Sequence, residues 1–263
     1  MNSRLKEQYL EQGCLEDVLI IDQHLHCGPI GYFYTSGSDF SVVTENLRRQ
    51  NVRWGIVSNI NSYDKMHEEN DYVMNVVDRW PQQYRGAIYL NENDCPDIQA
   101  EVDRCLETGK FVSFKMHPGW AGGKIDSPFY KQVYAIAGEL HFPVLIHTWG
   151  EDDIQTIAHM AKKYPTTNFL IGHCGGELEA SKKAAVAAVE NKNLYLDFTC
   201  SWAYAGLLEY LVDAVGANRI LFGTDALWNS VDAAIGRVAF AEISDDDKKR
   251  ILGLNAQELF QIK

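Results

Sequence analysis

Val18-Leu-Ile-Ile-Asp-Gln-His24-Leu-His26 opens as four consecutive apolar residues and closes with two histidines spaced two apart. Seven comparable β-rich runs follow, each bounded by polar or Gly-containing turns: Val52 to Ile60, Arg85 to Leu90, Phe111 to His117, Phe142 to His147, Thr167 to His173, Leu194 to Thr199 and Ile220 to Asp225. Stretches of helical period lie between or after them, at Phe40 to Gln50, Asn70 to Trp80, Ile98 to Thr108, Phe129 to Leu140, Ile154 to Lys163, Leu178 to Glu190, Tyr204 to Val215 and Val231 to Ala241. Pro143 and Pro165 stop or start elements where a helix could not continue. Eight β-then-α units, with no long linker or low-complexity segment, predict an α/β chain closed into a (β/α)8 TIM barrel, a single domain over residues 1–263. An open doubly wound sheet is the alternative. The segment from Ser244 to Phe260 opens with an N-cap serine and an acidic first turn, and is expected to pack as a helix across the outside of the barrel.

The composition narrows the function. Of the 263 residues, 46% are hydrophobic, enough for a sizeable core, so the chain belongs to the ordinary globular class. A formal charge of −12 with no block of Lys and Arg argues against a nucleic-acid partner. No apolar run reaches membrane-spanning length and the N-terminus is polar, so a cytoplasmic protein with no membrane association is expected. A homo-oligomer is compatible with this composition. The six cysteines show no C-x-x-C spacing, and reduced thiols are expected rather than a disulfide framework or a zinc knuckle.

Five of the eight histidines (His24, His26, His117, His147 and His173) fall at the C-terminal ends of predicted strands, where barrels of this kind build their sites. His24 and His26 share one face of a strand at roughly 6.5 Å, close enough for both imidazoles to converge on one ion. His147 follows an apolar run, and His173 does so with glycines after it. The eighth run delivers Asp225, a carboxylate that is costly to bury without a cation or hydrogen bonds. Lys115 and His117 alternate onto one face of the fourth run and should reach the same place. Asp22 and Asp197 lie near the interior, where they either orient a ligand histidine or cap turns. Tyr32, Phe33, Tyr34, Trp120, Trp149, Trp202 and Trp228 follow strands, and either line an aromatic pocket or pack helices. His67, His141 and His159 sit on helical or flanking segments and read as structural or exposed.

Taken in order, Ile21-Asp-Gln-His-Leu-His-Cys-Gly28, Ile146-His147, Gly172-His-Cys-Gly-Gly176, Phe222-Gly-Thr-Asp225 and Gly253-Leu-Asn-Ala256 resemble the amidohydrolase superfamily, in particular its amidohydrolase-2 branch. That resemblance implies a barrel fold and one divalent metal per chain, zinc or else manganese, held by His24, His26, His147 and Asp225. It implies that Asp225 also carries a proton, and that His173 acts on substrate and water or binds a second metal. Lys115, His117 and Trp149 are then expected to contact substrate. A carboxylated Lys115 bridging two metals is the binuclear alternative, and hydrogen-bonded barrel filling is the plain one. The reaction implied first is hydrolysis of an amide, ester or lactone of a small organic acid by metal-activated water. A decarboxylase or hydratase of an aromatic or unsaturated carboxylate is the second reading, and a barrel that binds metal without turnover the third.

Overall fold

The computed structural model describes residues 3–28, 40–60, 65–120, 123–199 and 204–262. Eight parallel strands stand in sequence order, each paired with the next: β1 (Ile20–His26), β2 (Val52–Ser58), β3 (Tyr84–Tyr89), β4 (Phe111–Met116), β5 (Val144–Ile146), β6 (Phe169–Ile171), β7 (Leu194–Phe198) and β8 (Ile220–Phe222). Helix α1 (Arg4–Gln12) precedes them. The strands are followed in turn by α2 (Phe40–Arg49), α3 (Met66–Arg79), α4 (Ile98–Glu107), α5 (Pro128–Leu140), α6 (Glu151–Lys163), α7 (Leu178–Glu190), α8 (Leu207–Val215) and α9 (Val231–Phe240). This is the expected single-chain (β/α)8 architecture. Strands covered on the outside by helices and filled on the inside by side chains must be apolar on both faces, which is why they read as continuous runs.

The ring closes just beyond β8. The amide of His26 donates to Ala226 O at 2.6 Å and that of Asp225 to His24 O at 2.9 Å. Asp22, fully buried, clasps the same seam: its carboxylate accepts from the amides of His24 (3.2 Å) and Thr224 (3.0 Å) and from the Thr224 hydroxyl (2.5 Å). Asp22 therefore orients no histidine ring and serves as a backbone clamp. Burial pushes its carboxyl up to about 7, against the pull of these hydrogen bonds.

Strand β1 is irregular where it matters. Its register against β2 slips between Asp22 and Leu25, so that Gln23 and His24 together oppose one residue of β2. A bulge of this kind re-aims side chains. Gln23 and His24 accordingly both reach Asp197 on β7 inside the barrel.

The C-terminal segment does not lie on the outside. It runs as α10 (Asp245–Lys249), a π-helical turn (Arg250–Leu254) and α11 (Asn255–Leu259). Ala256, Phe260 and Ile262 join Ile21, Leu170 and Leu221 in one apolar cluster, so the segment stoppers the N-terminal end of the barrel. Docking there takes the apolar side chains of the barrel interior and of the segment out of water together. Asn255 Nδ2 pins the stopper to β8 by donating to Ala217 O (2.7 Å) and Ile220 O (2.8 Å). Gly253 makes the approach possible, because a Cβ there would stand 2.2 Å from Leu19 O. Helix α1 is held by Ser3 and Lys248: Ser3 Oγ donates to Asp245 Oδ1 (2.6 Å) and Lys248 Nζ to Ser3 Oγ (2.7 Å).

Candidate metal centre

The C-terminal rim of the barrel gathers the predicted residues around β1 and β8. His24 Nε2 and His26 Nε2 are 3.2 Å apart, and Asp225 Oδ1 lies 3.2 Å from His26 Nε2 and 3.6 Å from His24 Nε2. Ligands bonded at roughly 2.1 Å to a tetrahedral ion stand about 3.4 Å from one another, so this spacing fits a divalent metal. A second observation agrees: Asp225 Oδ1 is buried with no hydrogen-bond partner. Such an acceptor is costly to bury unless a cation faces it. His24, His173 and Asp197 form a second group of mutually close donor atoms.

Asp197, which is fully buried, organises the site from behind. It accepts from His24 Nδ1 (2.8 Å), the His173 amide (3.0 Å), Thr199 Oγ1 (2.5 Å) and Gln23 Nε2. The bond to His24 Nδ1 leaves Nε2 as the lone-pair nitrogen facing the centre. Ser58 Oγ stands 3.1 Å from His26 Nδ1, and Trp228 stacks on the His26 ring at 4.4 Å. Burial holds His24, His26, His117 and His147 well below the usual imidazole range, and takes His173 down to about 4 against the pull of Asp225. Neutral imidazoles are the form that binds a metal. Burial likewise brings Lys115 down to about 8, and its Nζ lies 2.8 Å from His24 Nε2, in the midst of the rim.

His147 sits apart from the His24, His26 and Asp225 group. Its Nδ1 is 3.1 Å from His173 Nε2, and its ring is sandwiched between His117 (centroids 3.8 Å) and Trp149 (6.2 Å). Trp120 stacks on the outer face of His117 at 4.5 Å. Trp120, His117, His147 and Trp149 thus form a ladder of near-parallel rings along one wall. A cavity of about 230 Å³ beside His147 is lined by Pro118, Lys124, Asp126 and Asp153 among others. Tyr32, Phe33, Tyr34 and Trp202 lie outside the described residues. Gln23, Ser58 and Thr199 take part in the site without having been singled out from the sequence. The bulge in β1 and the partners of Asp197 reveal Gln23 and Thr199, and the contact with His26 reveals Ser58.

Two backbone features shape this rim. His173 (φ 55°), Cys174 (φ 50°) and Asp225 (φ 58°) all adopt the left-handed region that favours glycine. Gly176 (φ 77°) seats the half-exposed Trp149 indole, since a Cβ would come within 2.5 Å of the ring. Gly176→Ala is therefore expected to lift Trp149 off its seat, raising acrylamide quenching of tryptophan fluorescence while metal content stays unchanged. The quenching difference should vanish in a Trp149→Phe background. If it persisted there, Gly176 would not be the seat.

A parallel barrel with His, His and Asp converging at its C-terminal rim is the architecture of a metal-site barrel. The family model described as Amidohydrolase matches residues 37–262, and the chain belongs to that family, in its amidohydrolase-2 branch. The match begins after β1, so geometry alone places His24 and His26. A 2-keto-4-carboxy-3-hexenedioate hydratase of Sphingobium sp. (strain SYK-6) is 23% identical over 73% of this chain and 70% of its own length. A gamma-resorcylate decarboxylase of Polaromonas sp. (strain JS666) is 25% identical over 73% of this chain and 75% of its own length. In fold, the chain is similar to the 5-carboxyvanillate decarboxylase of Novosphingobium aromaticivorans, crystallised with manganese, at a TM-score of 0.73 and 13% identity, covering 94% of this chain and 97% of that one. Among the described residues no helix is long and apolar enough to cross a membrane.

Proposed function

We propose that the chain is a metal-dependent lyase that decarboxylates a planar, unsaturated or aromatic carboxylate. The observation that carries this reading is the ladder of Trp120, His117, His147 and Trp149, an aromatic wall of stacked rings on the rim that also holds the buried Lys115. Both curated relatives are named for lyase reactions, which supports this reading over the amide, ester or lactone hydrolysis implied first by the sequence resemblance.

A divalent ion held by His24, His26 and Asp225, with His147 as the expected further donor, would supply positive charge to bind and polarise substrate oxygens. Zinc and manganese both suit this nitrogen and carboxylate set. The chain's own groups do the rest. Lys115 pairs with the substrate carboxylate or an adjacent oxygen, and the ring edges of the ladder border the substrate plane. Asp225 delivers a proton to the carbon as its bond to the carboxylate breaks. The electron pair of that bond is thereby captured as C–H, carbon dioxide leaves, and solvent returns the proton to Asp225. His173, held at Nδ1 by Thr199 O (2.7 Å), presents Nε2 to His147 Nδ1 (3.1 Å) and so positions the His147 ring.

Elemental analysis should find about one divalent ion per chain, and the loaded protein should release carbon dioxide from 2,6-dihydroxybenzoate or 5-carboxyvanillate. Hydration of 2-keto-4-carboxy-3-hexenedioate, or cleavage of lactones, esters and amides, should be at least about 10²-fold slower in kcat/KM, the scale of one lost catalytic contact. A faster hydration or hydrolysis would overturn the decarboxylase reading. A ratio near two ions per chain would point instead to a carboxylated Lys115.

A further inference from the structure

We propose that the base of the barrel, opposite the metal centre, carries a binding site for a small doubly charged oxyanion, formed by Arg48, Arg53, Arg79 and the side-chain amide of Gln83. These residues line a cavity of about 440 Å³ where α2 and α3 end and β2 begins. None of its nine lining residues is acidic. In a chain with 36 Asp and Glu against 24 Lys and Arg, three arginines around an acid-free cavity depart from the general balance.

The guanidinium groups are already directed. Arg48 Nε donates to Gln83 Oε1 at 3.0 Å, Arg53 Nη1 donates to Gln82 O at 2.7 Å, and Arg79 lies over the Trp80 ring at 4.4 Å. Among the described residues, Arg48 and Arg53 have no carboxylate partner. Other arginines nearby in sequence are committed elsewhere: Arg49 to Asp232 at 3.2 Å, and Arg104 to Glu101 and Asp71. The arginines exceed what the helix ends require. A helix C-terminus favours one nearby cation, for which Arg49 and Arg79 suffice, and Arg53 stands on a strand.

Gln83 supplies the independent observation. It is only 7% exposed, and its Nε2 has no hydrogen-bond partner. Its amide cannot simply be turned over, because Oε1 faces the Arg48 Nε donor and turning would set donor against donor. A buried, unmatched N–H beside forked guanidinium donors is the arrangement that an oxyanion satisfies. Phosphate and a short dicarboxylate share that chemistry.

Isothermal titration of the metal-loaded full chain with inorganic phosphate and, separately, with malonate, at constant ionic strength in a buffer of neither, tests the site. Saturable binding of at least one is expected, retained after metal removal, and weakened at least about tenfold in Arg53→Gln and in Arg48→Gln, the equivalent of one charge-assisted hydrogen bond. The stronger arm identifies the source. Gln83→Glu keeps an acceptor for Arg48 and fills the site with the chain's own carboxylate, so it should abolish anion binding without lowering Tm. Absence of saturable binding to both anions, binding that disappears with the metal, or binding unchanged in all three variants would overturn the proposal.

Discussion

Asp225→Asn should retain bound metal while kcat falls by about 10²- to 10⁴-fold, the usual worth of a positioned proton carrier. Asparagine keeps the side-chain size and an oxygen that can still face His24 and His26, and its φ of 58° suits asparagine as well as aspartate. It lacks the proton that a carboxyl can give and regain. Asp225 Oδ2 already accepts from Asn229 Nδ2 at 3.3 Å, leaving Oδ1 as the unpartnered oxygen towards the centre. Elemental analysis and steady-state kinetics on the same preparation separate the two roles. Near-normal kcat with metal retained would remove Asp225 from proton transfer and leave it as a ligand alone.

Asp197→Ala should have the second-largest effect, and on two properties together. Removing this carboxylate strands four buried donors, from Gln23, His24, His173 and Thr199. Unmatched buried donors cost about 1–3 kcal/mol each, although water entering the new space will satisfy some, so a loss of about 3 kcal/mol in unfolding free energy is expected. His24 also loses the group that fixes its tautomer, which should weaken metal binding about 10- to 100-fold. Denaturant unfolding and a competitive chelator titration read the two effects. If stability fell while metal affinity stayed the same, Asp197 would be a structural hub with no hold on the metal ligand.

Much of this is legible in the sequence because barrel geometry leaves it little room to hide. Strands buried on both faces must be apolar runs, so β2, β4 and β7 stand out at Val52, Phe111 and Leu194. Polar residues that interrupt such runs at their C-terminal ends are exceptions that need a reason, and His24, His26 and Asp225 met that test. The hub at Asp197 is harder to see, because its importance lies in partners at positions 23, 24, 173 and 199 that only the fold brings together. Gln23 is hidden for a related reason: strict alternation would turn it away from His24, and only the slipped register of β1 brings both inward. The destination of the last helix is not legible, because Ala256 and Phe260 show an apolar stripe without saying which surface receives it. The substrate is least legible, since aromatic residues after strands look the same whether they line a wall or pack a helix.

The left-handed backbone at His173, Cys174 and Asp225 has a consequence for anyone who evolves this protein in the laboratory. Each non-glycine residue there carries a conformational penalty on the order of 1 kcal/mol, which glycine would relieve. A screen that rewards survival on heating, with no demand for turnover, should therefore recover glycine at 225 among its winners, where one carboxylate oxygen is also buried without a hydrogen-bond partner. Such hardened variants would be catalytically silent, and their appearance would mark the rim as a place where fitness and thermal endurance pull apart.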